Sequence, residues 1–253
     1  MSLKLPNFFL TRGYLNNIQA YRLAAIDLGI ARVALTSDVN AFFINGLISF
    51  ASAIHSLNKD NYSWSFIQSY YSLFYFARAF NGINDYAIVY NNLKPYSIKI
   101  QPAEGFKKLS GNSHDVVLNQ FKQHFHTDTL LSSNIEGKSP VDWFNKSRNL
   151  INYTLNPLTD PEPPINLYKH NKDLRKLINT YLNDDYHVYT FDPKHCYIAY
   201  PLQVFNRIYK YYLDNDLKNE YFNDETLDYF KVNFADEKGA LTSIISKIVD
   251  LSD

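Results

Sequence analysis

Apolar side chains crowd most densely into residues 64–81, and their spacing predicts a buried helix there. Between Tyr70 and Phe80 only Ser72 and Arg78 are neither apolar nor aromatic. The apolar positions recur at steps of four and three residues, at Phe66, Tyr70, Leu73, Ala77 and Phe80. This period is helical, and a helix that is apolar on nearly every side is typical of the centre of an α-helical domain.

The same periodicity predicts two helices before this central helix. The first is expected over residues 11–36, within an N-terminal segment 1–37 that packs on the bundle. The second is expected to begin at a cap formed by Ser37 or Asp38. Because the polar break at residues 58–63 is short, the second helix and the central helix should be antiparallel neighbours.

Capping residues and turn residues predict the elements that follow. Residues 86–100 read as a small β-hairpin, because YAIVY and YSIKI flank the turn segment NNLKP. Asn112 or Ser113 can cap a further helix. Ser139 followed by Pro140 is a good helix start, and that helix should stop before Pro157.

A proline-rich segment divides the chain. Residues 157–164, PLTDPEPP, hold four prolines and predict a stiff connector. The acidic region 165–253 is expected to be mostly helical, with helices over 167–183, 201–215, 225–234 and 238–251, and residues 187–200 as a strand or an irregular connector. The predicted fold class is mainly α: a bundle over 38–156 with a hairpin insertion and a C-terminal helical extension.

Charge is balanced over the whole chain but not along it. Residues 1–159 contain 14 Lys and Arg against 9 Asp and Glu, whereas residues 160–253 contain 11 against 16. This asymmetry allows a mildly basic functional face on the N-terminal part, or docking between the two parts. It is too weak to indicate nucleic-acid binding by itself.

Missing features disfavour several classes of protein. The single cysteine, Cys196, excludes an intrachain disulfide framework and a multi-cysteine zinc site. There is no signal-peptide pattern and no run of about 18 apolar residues, so a cytoplasmic location is expected. The chain has no glycine-rich phosphate loop and no GxSxG, HExxH or CxxC motif, which disfavours an NTPase, an α/β-hydrolase or a zinc enzyme; no cofactor is predicted.

Four segments, in order, resemble HEPN domains (higher eukaryotes and prokaryotes nucleotide-binding). SYYSLFYFARAFN, residues 69–81, resembles the second core helix of that family, and LISFASAIHSLNKDNYSWSF before it resembles the first helix and its turn. SHDVV at residues 113–117, with Phe121 and Phe125, looks like the family's "THKGVI" segment. RNLINY at residues 148–153 resembles its terminal arginine motif. The resemblance covers residues 38–156.

The resemblance implies a four- or five-helix bundle that is commonly dimeric and occurs in prokaryotic toxin–antitoxin and antiphage systems. Many such proteins are metal-independent ribonucleases with the motif R-x4-6-H, in which histidine moves the proton of a ribose hydroxyl and arginine stabilises the charge on phosphorus. Arg148 followed by Asn149 keeps the first half of that motif. Tyr153, Thr154 or Leu155 occupies the position of the histidine, and none of them shuttles protons near neutral pH as imidazole does.

Two arginines are candidates for a polar cleft. Arg148 shares a helix face with Asn145 and Asn152, and this face either grips a phosphate or a partner's carboxylate, or is a solvated surface with a structural arginine. Arg78 could line the same cleft, because the family places its helix beside the last one. The favoured interpretation of Arg78 is structural, since a buried charge needs a partner.

His114 stands at a helix start and could contact an anion there, although the resemblance favours a structural role for it. With Arg148 and Tyr153 it forms the catalytic set expected if the protein is a nuclease. Lys107 and Lys108 lie among aromatics in the loop after the hairpin, a pattern that can bind single-stranded nucleic acid but more often serves solubility. No metal site is predicted. His124 and His126 point to different faces of a helix, and the polar residues between 184 and 195 fit no ligand spacing.

The sequence leads to three hypotheses about function. The preferred one is a non-catalytic HEPN-like binding or assembly component of a prokaryotic defence or toxin–antitoxin system, with RNA or a nucleotide as ligand. It would act as a homodimer or in a complex with a neighbouring gene's product. The second is a divergent metal-independent ribonuclease that uses Arg148 at a dimer cleft. The third is a dimeric scaffold without nucleic-acid contact.

Overall fold

A computed structural model of the chain describes residues 3–154, 160, 162, 167, 173–217, 222–235 and 239–251. It is mainly helical with one small antiparallel sheet, which confirms the predicted fold class at that level. Within the described ranges the α-helices are α1 (Lys4–Thr11), α2 (Leu28–Asn58), α3 (Tyr62–Ile83), α4 (Ser113–His124), α5 (Pro140–Tyr153), α6 (Leu174–Leu182), α7 (Cys196–Asp214), α8 (Asp224–Asn233) and α9 (Thr242–Asp250). The strands are β1 (Tyr86–Asn91), β2 (Lys94–Lys99) and β3 (Lys107–Lys108).

The predicted central helix is α3, and it is buried on nearly all sides. It packs against α2, α4, α5, α7 and β1. The apolar positions that predicted it are all buried: Phe66, Tyr70, Leu73, Ala77 and Phe80. Asn61 caps its start by accepting a hydrogen bond from the N–H of Trp64.

Helices α2 and α3 are antiparallel neighbours, as the short break predicted, and glycine sets how closely they approach. The hydroxyl of Ser72 on α3 donates to the carbonyl of Gly46 on α2 across 3.0 Å. A Cβ at Gly46 would overlap the ring of Phe76, and one at Gly82 would overlap Val39. The two backbones therefore lie closer than any larger residue would allow.

The N-terminal prediction was wrong. Residues 11–36 do not form one helix: α1 ends at Thr11, residues 12–24 form turns with an isolated bridge, and α2 begins at Leu28 and runs through position 38. Asp38 does not cap its own helix. Its carboxylate accepts from the backbone N–H of Lys4 (2.6 Å) and Leu5 (3.0 Å), so it caps α1 from the middle of α2.

Tertiary contacts account for the turns between α1 and α2. Gly13 has a φ of 75°, which ends the helical path. The hydroxyl of Tyr14 donates to Asp27 (2.8 Å) and accepts from the N–H of Ala24 (3.0 Å). Ile18, one of the apolar residues whose spacing predicted a helix here, lies in a turn, and its side chain is buried.

The hairpin is present as predicted. Strands β1 and β2 pair antiparallel with Tyr86 opposite Lys99, and the turn residues Asn92 and Leu93 both have positive φ, as a tight two-residue turn requires. The loop after it adds the short strand β3, which pairs with β2 and was not predicted. The predicted caps Asn112 and Ser139 accept from backbone N–H groups at the starts of α4 and α5.

Helix α7 joins the C-terminal region to the same core. It packs on α3 and starts at Cys196, so Pro201 lies inside the helix, whereas the sequence predicted it in the first turn. A proline inside a helix leaves the carbonyl four residues earlier without its N–H partner. Here that carbonyl belongs to Tyr197, and the hydroxyl of Ser69 on α3 donates to it.

The remaining C-terminal predictions agree in part. Residues 187–195 form turns and no strand, because the buried carboxylate of Asp184 accepts from the backbone N–H groups of Val188, Tyr189 and Thr190. Helices α6, α8 and α9 lie within or near the predicted ranges. The predicted connector 157–164 falls outside the described residues except for positions 160 and 162.

One helical stretch, Ala25–Asn58, is long and apolar enough by composition to cross a membrane, with a mean hydropathy of 1.3. This finding concerns the described ranges alone. Within this stretch, 56% of the most apolar 18-residue window is buried inside the protein. The core helix of a folded domain has the same property.

Substituting Gly46 by alanine should destabilise the protein. The added methyl group collides with Phe76 in a packed core, and we expect the free energy of unfolding to fall by about 1–3 kcal/mol. Gly29 lies on the same helix, and a Cβ added there would meet nothing within 4 Å. Gly29→Ala is therefore the matched control and should leave stability unchanged or raise it by up to about 1 kcal/mol. Urea denaturation measures both; equal effects would contradict the close packing of α2 on α3.

Candidate functional site

Arg148 is held in place by aromatic residues of two helices. Its Nη1 donates to the hydroxyl of Tyr70 on α3 across 3.4 Å, and its guanidinium carbon lies 5.0 Å from the centre of that ring. The hydroxyl of Tyr153, on its own helix α5, is a further hydrogen-bond acceptor for it. The Nε atom of Arg148 is buried and has no hydrogen-bond partner. The guanidinium of Arg148 is thus held in one orientation, and its Nε–H donates to no acceptor among the described residues.

The hydroxyl of Tyr70 links Arg148 to Asn145. It donates to the Oδ1 atom of Asn145 across 2.8 Å while it accepts from Arg148. Burial raises the pKa of Tyr70 to about 12, although the hydrogen bond from Arg148 opposes this shift. The hydroxyl therefore keeps its proton at neutral pH, which it needs in order to donate to Asn145.

Arg148 stays positively charged because two tyrosine hydroxyls accept hydrogen bonds from its guanidinium. Burial lowers the pKa of the guanidinium, but the hydroxyls of Tyr70 and Tyr153 outweigh burial and raise the pKa above its ordinary value. A permanent cation with planar, directed N–H groups suits a phosphate or a carboxylate.

His114 lies beside this pair, at the start of α4. Asn112 caps the helix by accepting from the backbone N–H groups of His114 and Asp115, each at 3.0 Å. The imidazole packs against aromatic rings of α3, with centroid distances of 4.5 Å to Phe74 and 5.6 Å to Tyr70. Its Nδ1 atom is buried without a hydrogen-bond partner.

The surroundings of His114 favour its neutral form. Burial lowers the pKa of the imidazole, and the charge of Arg148 lowers it further, against an opposing effect of Asp115. A neutral imidazole at physiological pH can accept a proton. We name the group Tyr70, His114, Asn145, Arg148 and Tyr153 the Arg148 cluster.

The structure thus brings together the three residues predicted as a catalytic set, Arg148, His114 and Tyr153, with Asn145 beside them. Asn149 and Asn152 lie on the exposed surface of α5. Tyr153 is 76% exposed, so the cluster reaches the protein surface.

Arg78 does not join the cluster. It lies eight residues after Tyr70 on α3, about 12 Å along the helix axis. Its guanidinium carbon is 4.0 Å from the ring centre of Phe42 on α2, and burial lowers its pKa against the opposing charge of Asp38. Arg78 therefore lies beside α2, away from the Arg148 cluster.

Lys107 and Lys108 are also separate from the cluster. They are exposed on β3, and Lys107 lies near enough to His124 to help lower the pKa of that histidine. His124 is the last residue of α4, whereas His114 is in its first turn. The two histidines are thus roughly 15 Å apart along the helix axis, and the lysines lie toward the end of α4 that is far from Arg148.

The predicted polar residues of the C-terminal region have local partners. Asp184 caps its own turn, and His195 is hydrogen-bonded to the hydroxyl of Tyr181 at 2.7 Å. In the parts of the chain that the structure describes, no three His, Cys, Asp or Glu side chains are arranged to hold a metal ion.

Sequence reasoning missed the role of Tyr70, which it treated as a core residue. The available signal was chemical: a buried tyrosine hydroxyl requires a partner, and polar residues of a neighbouring helix are the natural candidates. Helical periodicity cannot identify which residue of which helix supplies that partner.

The titration of His114 should report the charge of Arg148. Because a nearby cation disfavours the imidazolium form, replacing Arg148 by methionine should raise the pKa of His114. His126, near the opposite end of α4, is the internal control and should not change. Two-dimensional NMR of the histidine rings measures both. An unchanged His114 titration in the folded variant would show that the two side chains do not interact.

Comparisons with known proteins found no match. No protein-family model matches the chain. Neither a curated protein nor a solved structure shows significant similarity to it.

Proposed function

We propose that this chain is a cytoplasmic, HEPN-like RNA-binding component of a prokaryotic defence or toxin–antitoxin system, and that the Arg148 cluster holds the RNA backbone. One observation carries the proposal: residues of three helices, far apart in sequence, converge on one oriented arginine at the surface. An arginine that served only to fill a helix face would not need this arrangement. The system and the partner, a second copy or a neighbouring gene's product, are implied by the family resemblance.

The chemistry of the cluster suits a phosphodiester. The guanidinium supplies charge-assisted hydrogen bonds, which are about twice as strong as neutral ones. Its buried Nε–H has no internal acceptor. The amides of Asn149 and Asn152 continue the polar face of α5 into solvent.

Aromatic rings near Arg148 suit single-stranded RNA in particular. Tyr71 is 37% exposed and Tyr153 is 76% exposed. Such rings offer flat surfaces on which unpaired bases stack, and base stacking tolerates many sequences. An unpaired RNA segment could place a phosphate on Arg148 and a base on either ring.

Binding without cleavage is the preferred function because the position of the motif histidine holds a tyrosine. A phenol holds its proton at neutral pH and lacks the free imidazole nitrogen that makes histidine a proton acceptor there. Tyr70, whose pKa is about 12, holds its proton more firmly still.

The second candidate function is a metal-independent ribonuclease, and the observation that favours it is the position of His114. A neutral imidazole in the Arg148 cluster could take the proton of a ribose 2′-hydroxyl as that oxygen attacks phosphorus. Arg148 would stabilise the charge on the phosphorane. The bond to the 5′-oxygen then breaks, and that oxygen takes a proton from Tyr153 or water, giving a cyclic phosphate and a 5′-hydroxyl.

RNA binding by Arg148→Ala tests the proposal. We expect fluorescence anisotropy with a labelled single-stranded RNA to show binding about tenfold weaker than in the wild type, as loss of one charged phosphate contact implies. The dependence of log affinity on log salt should become shallower by about 0.7 for single strands. Lys146→Ala is the matched control, because Lys146 is an exposed cation on the same helix outside the cluster; it should lose less affinity.

Incubation with RNA in EDTA separates the two candidate functions. If the RNA stays intact at high protein concentration, the result supports a protein that binds RNA without cleaving it. Cleavage that disappears in folded Arg148→Ala and His114→Ala would establish the nuclease. No RNA affinity in the wild type, or equal losses in Arg148→Ala and Lys146→Ala, would refute an RNA site at Arg148.

A further inference from the structure

A polar cleft in the C-terminal region lies outside the Arg148 cluster. It is bounded by α7, by α9 and by the turn that follows α6, and its volume is about 400 Å³. This size is in the range of sites for small organic molecules. Its charged and amide lining residues are Asp185, Gln203, Asn206, Arg207, Lys210 and Lys247, with His187 beside them. None of them takes part in the Arg148 cluster.

The cleft gathers positive charge in a region that is acidic overall. Residues 160–253 contain 11 Lys and Arg against 16 Asp and Glu. Arg207, Lys210 and Lys247 nevertheless line one cleft, with Asp185 as the acidic lining residue. Asp128 pairs with Arg207 and Asp250 lies near Lys247, so Lys210 is the lining cation that has no carboxylate partner among the described residues.

The three cations are presented differently. Arg207 is anchored, since it pairs with Asp128 at 3.6 Å and donates to the hydroxyl of Thr129. Lys247 lies with its ammonium nitrogen 4.2 Å from the ring centre of Tyr209. Lys210 is exposed and, among the described residues, has neither an ion pair nor a hydrogen bond. One cation is thus fixed, one is stacked on a ring and one is free to move to a ligand.

The cleft also contains polar atoms that lack partners. Asn206 donates from Nδ2 to the carbonyl of Leu182 at 2.8 Å, and this contact leaves its Oδ1 buried with no donor. His187 bonds through Nε2 to Thr129 at 3.2 Å, and its Nδ1 is buried without a partner. Buried polar atoms in folded proteins are nearly always satisfied, so each of these calls for an explanation.

We infer that this cleft binds a small phosphorylated organic molecule that also carries hydroxyl or amino groups. The phosphate meets Lys210, Lys247 and Arg207. On binding, the Asn206 side chain turns its buried Oδ1 toward the cleft, where a hydroxyl or amino group of the ligand donates to it; the apolar part lies against Leu182 and Leu213, which also line the cleft. Inorganic phosphate would satisfy the cations but neither the amide oxygen nor the apolar wall.

Calorimetric titration of the 253-residue chain tests the inference. The probes are adenosine 5′-monophosphate and glucose 6-phosphate, each compared with its unphosphorylated parent and with inorganic phosphate. We expect at least one of the two phosphorylated compounds to bind tenfold or more tightly than both its parent and inorganic phosphate. In Lys210→Gln and in Lys210→Gln/Lys247→Gln, that affinity should fall tenfold or more.

Control variants separate this cleft from other cationic surfaces. Lys231→Gln removes an exposed lysine of α8 that pairs with Asp228 outside the cleft, and it should bind the probe as the wild type does. Arg148→Ala should also bind normally, which separates this site from the proposed RNA site. Because Lys210 is exposed, its single substitution should not disturb folding, and a thermal melt verifies this.

Two results would overturn the inference. One is the failure of both phosphorylated probes to bind more tightly than inorganic phosphate. The other is binding that persists unchanged in Lys210→Gln and in the double variant.

Discussion

The burial of α3 on nearly every side is the constraint on which the rest of the structure depends. Most buried polar side chains of such a helix need a partner inside the protein, because an unmatched buried group is costly. Four such groups on α3 bond to four different helices. Ser69 donates to α7, Tyr70 to α5, Ser72 to α2 and Asn81 to α4. These bonds fix the order of the helices around α3.

The candidate site is a consequence of this arrangement. The ring of Tyr70 is buried in the core. Its hydroxyl lies at the edge of the core, where it contacts Asn145 and Arg148 of α5. The neighbouring turn of α3 offers Phe74 as a packing surface for His114. The same helix that organises the core therefore also sets the orientation of the arginine and the protonation of the histidine.

Local signals made much of the fold predictable. The period of four and three identified α3, the turn residues identified the hairpin, and Asn112 was expected as a cap. The errors occurred where a distant group decides the outcome. Asp38 looks like the start of a helix in sequence, yet it caps α1 from inside α2. Pro201 looks like a first-turn proline, yet a serine of α3 satisfies the carbonyl that it leaves free. Likewise, the sequence grouped Arg148 with His114 only through a family resemblance, and their packing against α3 supplies the physical reason for their proximity.

The central claim is that RNA contacts the protein at Arg148 and His114 together, and side-chain NMR during an RNA titration tests it most directly. The Nε–H signal of Arg148 is assigned by its loss in Arg148→Lys. We predict that this signal and the ring signals of His114 shift in parallel and saturate at the same concentration of single-stranded RNA, while the ring signals of His126 stay in place. RNA binding that leaves the Arg148 and His114 signals unchanged would contradict the claim.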